Sequence, residues 1–142
     1  MKFPPSASAA LTALRQGETL PSALLEECIA RIERHNPAIN ALVTLDLASA
    51  RASAARCDQY LAAHGFPAEQ PLFGLPISVK DAFATASLRT TSSHPPLRDH
   101  VPTADATVVA RLRAAGAILV GKSNLSQLAG DPQCWSPLFG PT

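Results

Sequence analysis

Residues 105–123 read DATVVARLRAAGAILVGKS. Asp105 is a residue type that caps helices, and three apolar residues then share one helical face: Val108, Val109 and Leu112. Gly116 ends this pattern, and an uninterrupted apolar run follows at 117–120. The stretch therefore predicts a capped helix that leads through a glycine into a short buried strand.

An earlier segment supplies a second strand. The run 75–79 is short and apolar, Gly74 introduces it, and Pro76 restricts its edge. A polar loop rich in proline, about 85–103, separates it from the helix. The order strand, long crossover, helix, strand is typical of α/β domains.

The first half of the chain has a helical pattern. Residues 24–33 carry one apolar stripe, and Pro37 is expected to end that helix, because proline disfavours helical geometry in the residue before it. An extended run at 41–45 follows, and Asp46 is expected to cap a second helix that ends before Gly65. We therefore expect N-terminal helices over about 8–64 and the start of an α/β core over about 71–142.

Composition excludes several classes of protein. The chain has 142 residues, 46% of them hydrophobic and 16% charged, which is the composition of one globular domain rather than of a disordered chain. The formal net charge is +1, so no basic field attracts nucleic acid or an anionic membrane. Three widely spaced cysteines and the lack of a long apolar run favour a cytoplasmic protein without a membrane anchor.

A phosphate-binding motif occurs in the wrong context. Residues 116–123 satisfy GxxxxGK[ST], but Gly116 follows a predicted helix, whereas a P-loop follows a strand. The four middle residues, 117–120, have the composition of a buried strand, and an extended backbone would not form the anion cradle. We therefore expect a helix cap, a strand and a turn rather than a nucleotide site.

Other candidate sites have simpler explanations. One cluster has residue types that bind metals: His94, Asp99, His100 and Asp105. Its spacing fits no zinc signature, and solvated loop residues explain it, so we expect no metal site. Ser92 and Ser93 lie near Lys80 in sequence, but no glycine-rich elbow accompanies them, and turn hydroxyls are the simpler interpretation.

Lys80 is the candidate for catalysis. It follows the apolar run 75–79, and a lysine that acts as a base must lose its proton, which burial in an apolar pocket promotes. Taken alone, Lys80 is expected to be a solvated charge at a strand end, whereas its apolar neighbours on the strand favour a partly desolvated ammonium. Asp81 is expected to point to the opposite face of the strand and to serve in structural hydrogen bonds.

Several blocks resemble the amidase signature family, in the family's order. They are PLFGLPISVKDAF (71–83), LRTTS (88–92), VPTADATVV (101–109), RLRAAGAILVGKSN (111–124) and LFGPT (138–142). The N-terminal helix, with Glu27, Arg31 and the pair Asn36-Pro37, is also similar to the family's first helices. The resemblance implies the amidase signature fold, a mixed α/β sheet covered by helices, of which this chain would be the N-terminal part.

The resemblance also implies a reaction. Amidases of this family hydrolyse amides with a Ser, cis-Ser, Lys triad and no metal or organic cofactor, and Lys80 matches the lysine. The two serines belong to a Gly/Ser-rich stretch after the FGPT block, so the chain is expected to end before its nucleophile. The positions expected to approach a small-molecule amide substrate are Ala129, Gly130 and Asp131.

Two alternatives remain open at this stage. The 142-residue chain could be a non-catalytic fragment with a structural role or none. It could also be the N-terminal part of an amidotransferase component that acts on charged tRNA, since such proteins are similar in the same blocks. The amidase interpretation, by contrast, involves no nucleic acid.

Overall fold

The computed structural model describes residues 4–142. Its longer helices are α1 (Ala7–Arg15), α2 (Pro21–Ile39), α3 (Leu47–His64) and α4 (Thr107–Ala114), and its strands are β1 (Leu42–Leu45), β2 (Pro76–Lys80), β3 (Ile118–Ser123), β4 (Trp135–Ser136) and β5 (Gly140–Pro141). Two short 3-10 turns span Pro95–Leu97 and Gln127–Ala129. Within residues 4–142, no helix is long and apolar enough to cross a membrane.

A three-stranded mixed sheet forms the centre of the fold. The strand order is β1-β3-β2, with β1 antiparallel and β2 parallel to β3. The β2–β3 register steps from Ile77↔Leu119 to Ser78↔Gly121, so Val120 is the extra residue of a bulge. The sheet and its helices confirm the predicted α/β class and place Lys80 at the last position of β2.

Helices α2 and α3 cover the sheet. A buried cluster joins them to β3: Leu25, Ile29, Ala50, Ala54, Ile118 and Val120. A second cluster joins α1 and α2 to the start of β2: Ala10, Leu14, Leu24 and Leu75. The apolar stripe predicted for the first long helix is therefore the face that packs against the core.

The predicted end of α2 at Pro37 is wrong. The helix continues to Ile39 with Pro37 inside its last turn, although a proline there lacks the N–H that would donate to the carbonyl four residues earlier. Asn36 compensates, because its backbone carbonyl accepts from the Asn40 N–H and its side-chain oxygen accepts from the N–H groups of residues 41 and 42. The helix then ends at Asn40, which adopts a left-handed conformation with φ 49°.

The predicted cap of α4 is also wrong. The residue before α4 is Ala106, and Asp105 instead accepts a hydrogen bond from the Ala86 N–H at 2.7 Å and pairs with Arg113 at 3.0 Å. The carboxylate therefore ties the long loop to the helix. Ala86, which donates to Asp105, lies 19 residues earlier in the chain, and the sequence around Asp105 does not indicate this contact.

Gly116 should be intolerant of substitution. Its φ is +89°, and an added Cβ would lie 2.7 Å from the Phe73 Cα. We expect Gly116→Ala to cost about 2 kcal/mol of unfolding free energy, because left-handed strain and a backbone clash add. Gly17→Ala is the matched control, since its φ is +69° and nothing lies within 4 Å of the added Cβ. Equal losses in urea denaturation of the two variants would contradict the clash.

Candidate active site

Lys80 lies at an accessible position. It ends β2, pairs in register with Ser123 of β3, and its side chain is exposed. The partly desolvated ammonium that the apolar neighbours favoured is therefore not found within the part of the chain that the structure describes. The alternative, an exposed charge at a strand end, is what residues 4–142 show.

Asp81, the next residue, is completely buried. Its N–H donates to the Ser123 carbonyl at 3.0 Å, and its carbonyl accepts from the Ser92 N–H at 3.0 Å. Its Oδ2 accepts from both the N–H, at 3.1 Å, and the hydroxyl of Thr91. This confirms the predicted structural role of Asp81 and fixes the backbone that follows Lys80.

A second lysine, Lys122 on β3, is buried beneath the segment that follows Lys80 and has no exposed surface. Its ammonium donates to the Phe83 carbonyl at 2.6 Å, to Thr85 Oγ1 at 3.0 Å and to Thr90 Oγ1 at 2.8 Å. Asp81 Oδ1 lies 3.8 Å from its Nζ. All three donors of Lys122 are therefore engaged, and the side chain ties β3 to the segment after β2.

The structure around Lys122 agrees with the interpretation of the phosphate motif as a strand and a turn. Residues 118–123 form the extended strand β3, as expected. The lysine of the motif, Lys122, is buried, and its ammonium donates only to acceptors of the protein itself among the contacts described above. Sequence reasoning missed its real role. The available signal was that a strand continuing past Gly121 would carry a lysine into the interior, where it requires a buried acidic partner.

Burial lowers the pKa of Lys122 to about 8, and the carboxylates of Asp81 and Asp105 oppose that shift. The unfolded chain, with an ordinary lysine pKa of ~10.4, binds more protons than the folded chain between pH ~8 and ~10.4. The contribution of Lys122 to the unfolding free energy is therefore lowest below pH 8, and it rises as the pH increases from about 8 to about 10.4.

We expect a measurable alkaline stabilisation from Lys122. Between pH 7.5 and 10.5 the group should add roughly 3 kcal/mol to the unfolding free energy, at about 1.4 kcal/mol per pKa unit. Urea denaturation of the chain and of Lys122→Met at several pH values isolates this contribution as the difference between the two curves. A difference that is flat or falls with pH would contradict the assignment.

Ser92 connects the two loops near Lys80. Its N–H donates to the Asp81 carbonyl, and its own carbonyl accepts from the Leu128 N–H at 2.8 Å. Four residues at this junction that are not glycine have left-handed backbones: Ser92, Ser93, Leu128 and Ala129. Strained backbone of this kind is frequent at functional sites.

The predicted substrate positions lie on the second of these loops. Ala129, Gly130 and Asp131 are exposed, and the Leu128–Ser92 bond attaches their loop to the turn that follows Lys80. Gly130 has φ −80°, so a glycine is not required there for conformational reasons. Contact of these three residues with a substrate stays a prediction.

Ser93 is not available as a substitute nucleophile. It has no exposed surface, and its hydroxyl donates to Ser136 Oγ. Ser136 Oγ also accepts from the N–H groups of Leu138 and Phe139. The hydroxyl has a structural role, but its partner lies 43 residues away rather than in the local turn that was expected, and the bond holds the β4–β5 hairpin against the turn.

Two asparagines hold the last residues of the chain. Asn40 Nδ2 donates to the carbonyls of Phe139 and Pro141, at 2.7 and 3.1 Å. Asn124 Nδ2 donates to the Gly140 carbonyl and to Thr142 Oγ1, both at 3.0 Å. These contacts, which the sequence did not predict, fix residues 139–142 against the end of α2.

Two of the four residues considered as metal ligands have other side-chain or backbone partners. His94 Nδ1 lies 2.9 Å from Gln127 Nε2, and Asp105 is engaged by Ala86 and Arg113. Among residues 4–142, no group of three or more His, Cys, Asp or Glu side chains is placed to hold a metal ion.

Comparison with known proteins identifies the family. Residues 23–142 match the family model described as Amidase, and the chain belongs to this family. It is 41% identical over 122 residues to the A-subunit of the glutamyl-tRNA(Gln) amidotransferase of Roseiflexus sp. (strain RS-1), a match covering 86% of this chain and 24% of that protein. The chain thus spans about a quarter of the length of the curated relatives it matches.

Solved structures agree on the fold. An amidase crystal structure is 34% identical with a TM-score of 0.83, and the match covers 96% of this chain and 30% of that one. A fatty acid amide hydrolase gives a TM-score of 0.91 at 19% identity, over 99% of this chain and 24% of the other, which is a likeness of fold alone. The chain has the architecture of the first part of an amidase signature enzyme.

Proposed function

We propose that residues 1–142 are the N-terminal part of an amidase that hydrolyses a small-molecule carboxylic amide, and that Lys80 is its general base. The observation that carries this proposal is the contrast between two lysines on neighbouring strands. The donors of Lys122 are all used inside the protein, whereas Lys80 is exposed at the end of a strand. Lys80 alone of the two is able to exchange a proton with a substrate or a serine.

The proposed chemistry follows the family pattern. Neutral Lys80 takes a proton, through a bridging serine, from a second serine, whose oxygen then forms a bond to the amide carbon. The C–N bond breaks, the proton leaves with the amine, and water hydrolyses the acyl-serine to the acid. Both serines would come from sequence beyond residues 1–142, and the loop at 129–131 would contact the acyl group.

A fusion protein tests this proposal. Residues 1–142 would replace the corresponding residues of the crystallised amidase that is 34% identical, so that the remainder of that enzyme follows Thr142. We expect the fusion to hydrolyse simple aliphatic or aryl amides and residues 1–142 alone to show no turnover. A fusion with a cooperative thermal transition but no hydrolysis across the panel would contradict the proposal.

The amidotransferase alternative has its own support. The relatives named as the A-subunit of glutamyl-tRNA(Gln) amidotransferase in Roseiflexus and Synechococcus are 41% and 39% identical to the chain, above the 34% of the crystallised amidase. A second fusion, to the remaining length of the Roseiflexus protein, tests whether the chain supports amidation of glutamyl-tRNA(Gln) once the rest of that amidotransferase is added. Activity in this fusion and none in the first would favour the alternative.

The reading frame beyond codon 142 separates both enzymes from an inert fragment. An in-frame segment rich in Gly and Ser would support the enzyme, because it would supply the two serines. An immediate stop codon would favour the non-catalytic fragment.

A further inference from the structure

The buried pair Lys122–Asp81 adjoins the proposed base in the chain, since Asp81 is the residue after Lys80. We propose that Lys122 is a positioning residue for Lys80, which cancels the charge of the Asp81 carboxylate and keeps that carboxylate turned away from the Lys80 ammonium. The inference rests on the proposed role of Lys80. It adds a residue that acts on the base through its neighbour.

The need for such a residue follows from the order of the chain. Asp81 immediately follows Lys80, and a nearby carboxylate favours the protonated form of a lysine, which is the form unable to accept a proton. Asp81 Oδ2 is held by Thr91, but Oδ1 has no hydrogen-bond partner within residues 4–142. The cation that faces Oδ1 is Lys122, at 3.8 Å.

Lys122 is held firmly in that position. Its Nζ donates to Phe83, Thr85 and Thr90, so its place does not depend on Asp81. It pairs in register with Val79, one residue before Lys80, on the strand adjacent to β2. The ammonium is thus held in place on the strand adjacent to β2, and with a pKa of about 8 it is positively charged at neutral pH.

A second carboxylate acts on Lys122 and has a cation of its own. Asp105, in the loop before α4, also acts on Lys122, and it forms an ion pair with Arg113 of α4 at 3.0 Å. Asp81 and Lys122 therefore compensate each other, as do Asp105 and Arg113. Removing one member of the Asp81–Lys122 pair leaves an uncompensated buried charge next to Lys80, with a sign set by the member removed.

The pH dependence of kcat/KM in the amidase fusion tests this inference. If a base must be neutral to act, kcat/KM rises with pH as that base loses its proton. This rising part of the pH profile is the acid limb. Lys122→Met leaves Asp81 uncompensated and should move that limb to higher pH by about one unit, whereas Asp81→Asn should move it to lower pH. The double variant should return the limb close to its original pH.

Opposite shifts separate a positioning role from a structural one. A residue that served the fold alone would lower kcat at every pH and leave the limb in place. Arg111→Met, which removes an exposed cation on α4, is the matched control and should leave the limb unmoved. Unmoved limbs in active single variants, or shifts of the same sign, would overturn the inference.

An NMR titration of Lys80 tests the inference where a variant of the fusion protein does not fold. In residues 1–142, the titration midpoint of the Lys80 Cε resonance should move to higher pH in Lys122→Met and to lower pH in Asp81→Asn. Equal midpoints in the wild-type chain and the two single variants would overturn the inference.

Failure of the proposed function gives a different result from failure of this inference. Retained activity in a Lys80→Ala fusion would reject Lys80 as the base, whereas unmoved limbs with an inactive Lys80→Ala fusion would reject the role of Lys122 alone.

Discussion

Lys80→Ala in the amidase fusion is expected to lower kcat by about four orders of magnitude or more, because the members of a coupled catalytic triad act only together. The fold should survive this change. Lys80 is exposed, so the unfolding free energy of residues 1–142 should change by less than about 0.5 kcal/mol. Steady-state kinetics and urea denaturation of the same variant give the two values.

The controls for Lys80 use other cations. Lys80→Arg should be as inactive as the alanine variant, because a guanidinium keeps its proton and does not act as a base. Arg98→Ala, which removes an exposed charge from the long loop, should leave kcat unchanged. A kcat for Lys80→Ala within tenfold of the parent fusion would reject Lys80 as the base.

Asp81→Ala is expected to have the largest effect on stability. The substitution leaves the Lys122 ammonium buried without a counter-charge and removes the acceptor of two Thr91 hydrogen bonds. Breaking a buried ion pair in this way costs about 3–5 kcal/mol, a large part of the roughly 5–15 kcal/mol that stabilises a typical domain. Chemical denaturation at pH 7 measures the loss.

Two further variants identify the source of that loss. The double variant Asp81→Ala with Lys122→Met should recover most of it, because an apolar pair replaces the isolated charge. Glu26→Ala, which breaks the exposed ion pair with Arg51, should have little effect on the midpoint. If the double variant is as unstable as the single one, the loss does not come from the unpaired ammonium.

The arrangement of elements could be predicted from local patterns. The helix-glycine-strand order around Gly116 and the apolar run before Lys80 both produced the elements expected, because hydrophobic periodicity and a left-handed glycine are local signals. Asp46 was also correctly placed, since its side chain accepts from the Ser49 N–H at the start of α3. These features need no knowledge of distant residues.

The environment of the site could not be predicted in the same way. The partners of Lys122 lie 32–41 residues away in the chain, and the Asn40 contacts span 99 and 101 residues. Such pairs depend on how strands and loops meet in space, for which a single sequence carries no local signal. Lys80 was found through its family block, and its exposure followed only from the strand geometry.

The pairing of β1 with β3 has a consequence for the time course of folding. Thr44 is the register partner of Lys122, so 78 residues separate two strands that must meet. At about 5–20 residues per second, a ribosome needs roughly 4–16 s to extend the chain between them. Contacts at this separation also slow folding after release. During synthesis, the apolar surface of α2 and β1 that packs against β3 therefore stays uncovered for this interval, and the nascent chain is prone to aggregation over that time.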